Sequence, residues 1–260
     1  MPDRLPPGYA VLVTRPRTQA DELTAAIRDA GGEAVEFPVI EIRARDPAAV
    51  AADAAALPVP DVTIFVSSNA VQHGIAYGGG RLAAIGPATA AEIRRCGRTV
   101  DIEPAGGFDS ESLLALPAFA DIRGRTVRIV RGNAGRELLA AELAGRGARV
   151  DYLAAYTRAL PAHPPALVEA VAGRWRRGDI RAVVVMSVES LDNLARLLPA
   201  ECRPGAAGPL LVTPAARVLK EFGLRYPGCP GALADGPRAR ELLDCIVTSA
   251  RASAPPGLPD

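Results

Sequence analysis

The stretch Val127–Arg158, VRIVRGNAGRELLAAELAGRGARVDYLAAYTR, decides the fold class. Its opening residues, VRIV, form a short β-branched run that reads as a strand covered on both faces. The turn that follows, Arg131–Arg136 (RGNAGR), carries Gly132 and Gly135, two residues able to take positive φ. A helix is predicted from Glu137 to about Arg146, its apolar face built around Leu138, Leu139 and Leu143. Gly147 stops it at the usual position just past the last turn, and Val150–Leu153 (VDYL) resumes as strand. Strand, glycine-bearing turn, helix and strand make a unit whose helix N-terminus offers free backbone N–H groups to an anion. Neither GxGxxG nor GxxxxGK[ST] occurs, so this is not a dinucleotide or P-loop fingerprint.

The bulk composition narrows the classes further. The chain has 260 residues, enough for one large domain or two of about 130 each. Hydrophobic residues make up 49% and charged ones 23%, the balance of a soluble globular protein. A net charge of +1 argues against nonspecific nucleic-acid binding, and no nucleic-acid partner is expected. Lys220 is the only lysine among 30 cationic residues, so almost every cation is an arginine, the residue whose forked donors match carboxylates. Cys96, Cys202, Cys229 and Cys245 form no CxxC pair; neither a metal site nor a disulfide framework is expected. The start, MPDRLPPGYA, lacks the apolar core of a signal peptide, and no run approaches the roughly 18 apolar residues of a membrane span. A cytoplasmic protein with no membrane partner is the expectation.

The same grammar of short apolar strands and helices runs through the rest of the chain. Strands are predicted at Tyr9–Thr14, Ala34–Phe37, Val62–Val66, Arg81–Ile85 and Thr99–Ile102, with an extended connection at Pro38–Ile42. Helices are predicted over Gln19–Ala30, Pro47–Leu57 and Ala70–Ala76, and from Gly86-Pro87-Ala88-Thr89 to Gly97. Another is capped by Asp109. The second half answers the first: Val127–Val130 repeats the first strand, and Gly147 answers Gly32. Ala182–Met186 with Ser187 answers Thr63–Val66 with Ser67, and Leu210–Val212 with Thr213-Pro214 answers Ala84-Ile85 with Gly86-Pro87. Gly223 answers Gly97, and Leu242 answers Leu113. Offsets that drift slowly between 115 and 129 are what an old duplication leaves. The fold class is therefore α/β, with two doubly wound parallel-sheet domains.

Ligands of such sheets sit beyond the carboxyl ends of the strands. Here those ends carry Arg15, Ser67, Ser68, Thr89, Arg131, Gly132, Gly135, Ser187 and Thr213, with no cluster of Asp, Glu, His or Cys. Small hydroxyls, backbone N–H groups and a few arginines suit a large polyanion. Ala215 or Ala216 stands where the repeat would place a partner of Thr89. His73 and His163 stand apart and are read as surface or capping residues. Arg174–Arg177 (RWRR) is read as a solvated basic run.

Six segments in order resemble uroporphyrinogen-III synthases: VLVTRP (Val11–Pro16), FVSSNAV (Phe65–Val71), AIGPAT (Ala84–Thr89), DSESLL (Asp109–Leu114), IVRGNAGRELL (Ile129–Leu139) and RGARVDYLAAYTR (Arg146–Arg158). The resemblance implies two flavodoxin-like α/β domains joined by a two-stranded ladder, here Pro38–Ile42 with about Leu153–Leu160. Residues 1–38 plus 157–250 would form the first domain, 39–156 the inserted second, and 251–260 a disordered tail. The family closes hydroxymethylbilane, a linear tetrapyrrole with eight carboxylates, into uroporphyrinogen III. Water is lost and the fourth ring inverted, without metal or cofactor. By the same resemblance Tyr156 is the candidate catalytic residue, hydrogen-bonded to the departing hydroxyl. A transient hand-over from hydroxymethylbilane synthase and a monomeric state are further expectations. The competing reading is a non-catalytic duplicated module that binds a tetrapyrrole or another polycarboxylate.

Overall fold

The computed structural model describes residues 4–106, 109–133, 137–205 and 208–252. The chain divides into two compact units, Met1–Glu41 with Leu160–Asp260, and Ile42–Ala159. It opens with β1 (Ala10–Val13), α1 (Asp21–Asp29) and β2 (Glu33–Glu36). The second unit follows with β3 (Glu41–Ala44), α2 (Pro47–Ala56), β4 (Val62–Phe65), α3 (Ser68–Gly74), β5 (Arg81–Ala84) and α4 (Pro87–Arg95). It is completed by α5 (Ser110–Leu114), β6 (Thr126–Gly132), α6 (Leu138–Gly145) and β7 (Arg149–Ala159). The first unit is then finished by α7 (Pro165–Arg176), β8 (Ile180–Val184), α8 (Val188–Leu197), β9 (Leu210–Thr213), α9 (Ala216–Arg225), β10 (Gly231–Leu233) and α10 (Ala239–Ala252).

The sheet of the first unit runs β10-β9-β8-β1-β2, with every pair parallel. Interior β1 reads AVLV and is buried at all four positions, the pattern of a strand covered on both faces. Val11, Val13, Ala182, Val184 and Val212 meet Leu23 and Ile27 of α1 and Leu242 and Ile246 of α10. The sheet of the second unit runs β3-β7-β6-β4-β5. Alternation along β4 splits its core in two. Phe65 joins Val71, Ile93 and Leu153 on one face, and Ile64 joins Leu113, Leu139 and Leu143 on the other.

Both sheets share one strand order. Read as β2-β1-β8-β9-β10 and β7-β6-β4-β5, they place β6 as β1, β7 as β2, β4 as β8 and β5 as β9. Register agrees, because Val13 lies beside Val184 as Ile129 lies beside Ile64. Two of the sequence pairings shift on this frame. The counterpart of Gly147 (φ +86°) is Gly31 (φ +84°), not Gly32, because each takes the left-handed turn that ends its helix. Gly223 lies inside α9, and the positive φ after that helix falls on Gly228 (φ +78°).

Other sequence expectations also change. Thr99–Ile102 is not a strand but a single bridge from Ile102 to Ala83. The Asp101 carboxylate takes the Leu82 N–H at 2.7 Å, so a side chain replaces part of the ladder. The extended pairing partner of β7 begins at Glu41 rather than Pro38. The chain before it is tied elsewhere: Phe37 N–H to Val13, Val39 N–H to Thr14, and the Val39 carbonyl to Asn193 at 3.0 Å. His163 is neither a surface residue nor a cap: it stacks on Phe37 at 4.4 Å and meets the Pro38 carbonyl at 2.7 Å. The RWRR run is anchored, with Trp175 buried and Arg174 gripping Glu33 through both oxygens at 2.5 and 2.6 Å. Arg251 and Ala252 continue α10; the rest of the expected tail, 253–260, lies outside the described residues.

Candidate active site

In each unit the strand order reverses direction about one gap, between β4 and β6 in the second and between β8 and β1 in the first. Helices leave adjacent strands there toward opposite faces, which opens a crevice at the carboxyl ends. Every described candidate residue belongs to one of these two edges. Ser67, Ser68, Thr89, Arg131, Gly132 and Tyr156 belong to the second unit, and Arg15, Ser187 and Thr213 to the first. Gly135 lies outside the described residues.

At the second unit's edge, Ser67 takes an extended backbone (φ −170°) and caps α3, its hydroxyl accepting the Ala70 N–H at 3.1 Å. The same hydroxyl lies 3.2 Å from the phenolic oxygen of Tyr156. Tyr156 reaches Ser67 because of a bulge. Arg131 pairs with Ala154 but Gly132 with Tyr156, so Ala155 is an extra residue in β7. The bulge turns Tyr156 onto the α3 face, where it joins Val71, Val130 and Leu153 and is 3% exposed.

Gly132 does not use the positive φ that its sequence suggested. A Cβ at this position would lie 2.9 Å from Cε2 of Tyr156, so glycine is required by the close approach of the ring. The His73 ring, in the last turn of α3 and tilted by 38° at 5.8 Å, borders the same phenol, a contact that the surface or capping reading of this residue does not include. Its signal was position alone, six residues after the cap of a helix that starts at the site. Ser68 donates to the Ala88 carbonyl at 3.3 Å, and Thr89 is buried in the first turn of α4.

Arg131, at the end of β6, is held by residues the sequence did not single out. Its two terminal nitrogens lie 3.0 and 3.1 Å from Oε1 of Glu137, and its guanidinium stacks 3.8 Å above the Tyr152 ring. The Tyr152 hydroxyl donates to Oε2 of Glu137 at 2.5 Å. Burial, followed by that hydrogen bond, pushes the Tyr152 phenol up to about 12. The Tyr152 hydroxyl and then Arg131 hold the Glu137 carboxyl below its ordinary value.

The first unit's edge repeats the plan with different occupancy. Ser187 caps α8 as Ser67 caps α3, its oxygen accepting the Ser190 N–H at 3.1 Å and meeting the Ser190 hydroxyl at 2.9 Å. Arg15 stands two residues after Val13, as Arg131 stands two residues after Ile129, so the two arginines are repeat partners. Arg15 differs in that its Nε is buried without a hydrogen-bond partner. Burial pushes its guanidinium below the ordinary value. Thr213 is fully buried, its hydroxyl accepting the Ala215 N–H at 3.2 Å, so its side chain shapes the turn into α9.

Among the described residues no group of His, Cys, Asp and Glu could hold a metal ion. No described helix is long and apolar enough to cross a membrane. The groups gathered at the two edges are hydroxyls, the buried phenol of Tyr156 with His73 beside it, helix N-termini and two arginines, one of them held by Glu137 and Tyr152. Such a set orients and stabilises charge more than it transfers protons.

A family model described as uroporphyrinogen-III synthase HemD matches residues 21–226. The uroporphyrinogen-III synthase of Escherichia coli is 33% identical over 204 residues, which cover 73% of this chain and 80% of that protein. The enzyme of Proteus mirabilis is 30% identical over 200 residues, covering 71% and 96%. Among solved structures, a mutant uroporphyrinogen III synthase from Thermus thermophilus superposes with a TM-score of 0.62 at 19% identity. The alignment covers 95% of this chain and all of that one, a likeness of fold. With the family model spanning most of its length and relatives at this identity, the chain belongs to the uroporphyrinogen-III synthase family.

Proposed function

We infer that this protein is a cyclising lyase that closes hydroxymethylbilane into uroporphyrinogen III with loss of water and inversion of ring D. The observation that carries the reading is the family match across residues 21–226. Within it, the second unit (Ile42–Ala159) is read as the inserted domain, and β3 with β7 as the ladder.

Tyr156 is the group we assign to the departing hydroxyl, and its surroundings set its proton. The Ser67 oxygen already accepts the Ala70 N–H, so its own O–H is available to donate to the Tyr156 oxygen. The phenolic O–H is then free to donate outward. A phenol in this state can hydrogen-bond a leaving hydroxyl without needing a strong acid. Electron release from the pyrrole nitrogen drives departure and leaves an azafulvene. Attack by the substituted carbon of ring D then gives a spiro intermediate, whose fragmentation and reclosure invert the ring. Most of this task is holding a flexible chain in one shape. Arg15, Arg131, Ser68, Thr89, Ser187 and the backbone around Gly132, Gly135 and Thr213 are the contacts proposed for the carboxylates and the macrocycle.

The test is an assay in which hydroxymethylbilane is generated in situ, the products oxidised, and the type I and type III isomers separated. Predominantly type III product is the expected result. Type I alone from folded protein is the spontaneous closure and would leave a tetrapyrrole-binding module.

A further inference from the structure

The pairing of Glu137 with Arg131 and Tyr152 has the form of a filled carboxylate site. One carboxyl group receives three donors, two from Arg131 and one from Tyr152, at 3.0, 3.1 and 2.5 Å. The receiving side is ordered: the Arg131 side chain is 15% exposed and lies flat on the Tyr152 ring at 3.8 Å. Tyr152 is itself packed beside Ile129 and Leu139. The Glu137 side chain is 67% exposed and touches solvent on its remaining sides. A fixed set of donors and an exposed, replaceable carboxylate therefore meet at the carboxyl end of β6, beside the second unit's crevice.

The first unit supplies a comparison. Arg15 holds the equivalent place, yet its Nε has no partner. The counterpart of Tyr152, by the offset that pairs Arg15 with Arg131 and Gly31 with Gly147, is Glu36, which carries no phenol to grip a carboxylate. Glu36 instead faces Arg28 at 3.5 Å. Only the second unit combines arginine, phenol and a resident acid.

We propose that Arg131 and Tyr152 form a subsite for one carboxylate side chain of the tetrapyrrole, and that Glu137 is its internal placeholder, released when substrate arrives. The proposal rests on the enzyme reading above for the identity of the ligand. The exchange replaces one carboxylate by another on the same three donors, so the desolvation of Arg131 is already met before substrate binds. Release returns Glu137 to water, where an exposed ion pair gives up little, because solvent screens it. The placeholder keeps a part-buried guanidinium from standing unpaired in the free protein, which the low dielectric would penalise. It also competes with substrate, and that competition is measurable.

The probe for binding is uroporphyrin III, an unreactive eight-carboxylate relative of the product, titrated by quenching of its fluorescence. Glu137→Gln removes the competing charge, keeps the side-chain length and leaves Arg131 and Tyr152 in place. It is expected to tighten uroporphyrin binding by about two- to fivefold and to lower KM similarly, with kcat moving less than KM. Tyr152→Phe removes one donor and weakens binding by a like factor. In a spectrophotometric titration of the tyrosines, Glu137→Gln also brings Tyr152 down from its raised range. Weaker or unchanged binding by Glu137→Gln overturns the placeholder. Loss of type III product in the parent protein, with the binding response intact, overturns the enzyme reading and leaves the subsite standing.

Discussion

Tyr156 and Gly132 act as one structural decision, and each can be tested alone. Tyr156→Phe removes the outward donor and leaves the ring in its pocket. Its kcat should fall about tenfold, the worth of one hydrogen bond gained in the transition state, while the loss of the Ser67 bond lowers stability by only about 1 kcal/mol and leaves the protein folded. Unaltered turnover would remove the role assigned to the phenol. Gly132→Ala forces a methyl group to within 2.9 Å of the ring. It should cost about 1–3 kcal/mol in a denaturant titration and reduce turnover as well, because the phenol must shift. Sequence alone marked both residues but assigned Gly132 the wrong reason, since a turn glycine and a glycine under a ring look identical in one dimension. Only the register shift at Arg131–Gly132 distinguishes them. Glu137 and Tyr152 carry no mark in the sequence, because their significance is a distance of 2.5 Å across 15 residues of chain.

At the level of strands and helices, the carboxyl-end placement of the candidates was legible because strand–helix alternation dictates a parallel sheet and the sheet dictates its binding edge. What escaped was how loops are tied to it. Arg128 points from β6 into the protein and donates to the carbonyls of Pro58 at 2.9 Å, Tyr77 at 3.2 Å and Ala54 at 3.5 Å. It joins backbone carbonyls of two separate stretches, the end of α2 with Pro58 and the turn at Tyr77, a role invisible in the run VRIV. Arg128→Met should therefore destabilise the protein by about 3 kcal/mol in denaturant, with the acceptors left dry. Asp61 ties the start of β4 to β6 by accepting the Thr126 N–H at 2.8 Å, with Arg125 at 3.3 Å. The Thr126 bond, aided by Arg125, holds its carboxyl below the ordinary 3.8. A depressed carboxyl stabilises the fold above its unfolded value, and that stabilisation is lost as pH falls through the folded one. The stability gap between parent and Asp61→Asn should thus be full near neutral pH. It should close on acidification below about 3.8, as followed by chemical denaturation across pH.

Over the whole chain, the duplication is a property of paired positions rather than of similar words. Ser67 with Ser187, Arg131 with Arg15 and Gly147 with Gly31 keep their places while the residues around them diverge. That is why the repeat could be seen in sequence but was misaligned by a residue at Gly32. The two edges should contribute separately: Arg15→Gln is expected to raise KM about fivefold without lowering the melting temperature, because no hydrogen bond to Nε is lost. Strand order carries a further consequence. β1, buried at every position, needs β8 beside it, and the Thr14 hydroxyl reaches the Val184 carbonyl at 2.6 Å across 170 residues. The strands of Ile42–Ala159 all find their partners within that segment. On the ribosome the inserted unit can close while the amino-terminal strands still wait for the last hundred or so residues. At roughly 5–20 residues per second β8 emerges about 1–5 s after the inserted unit, and until then β1 has only β2 beside it. The order of synthesis thus leaves the sheet around β1 to be completed only after the inserted unit has closed, and a half-built sheet edge is a surface for a chaperone to cover.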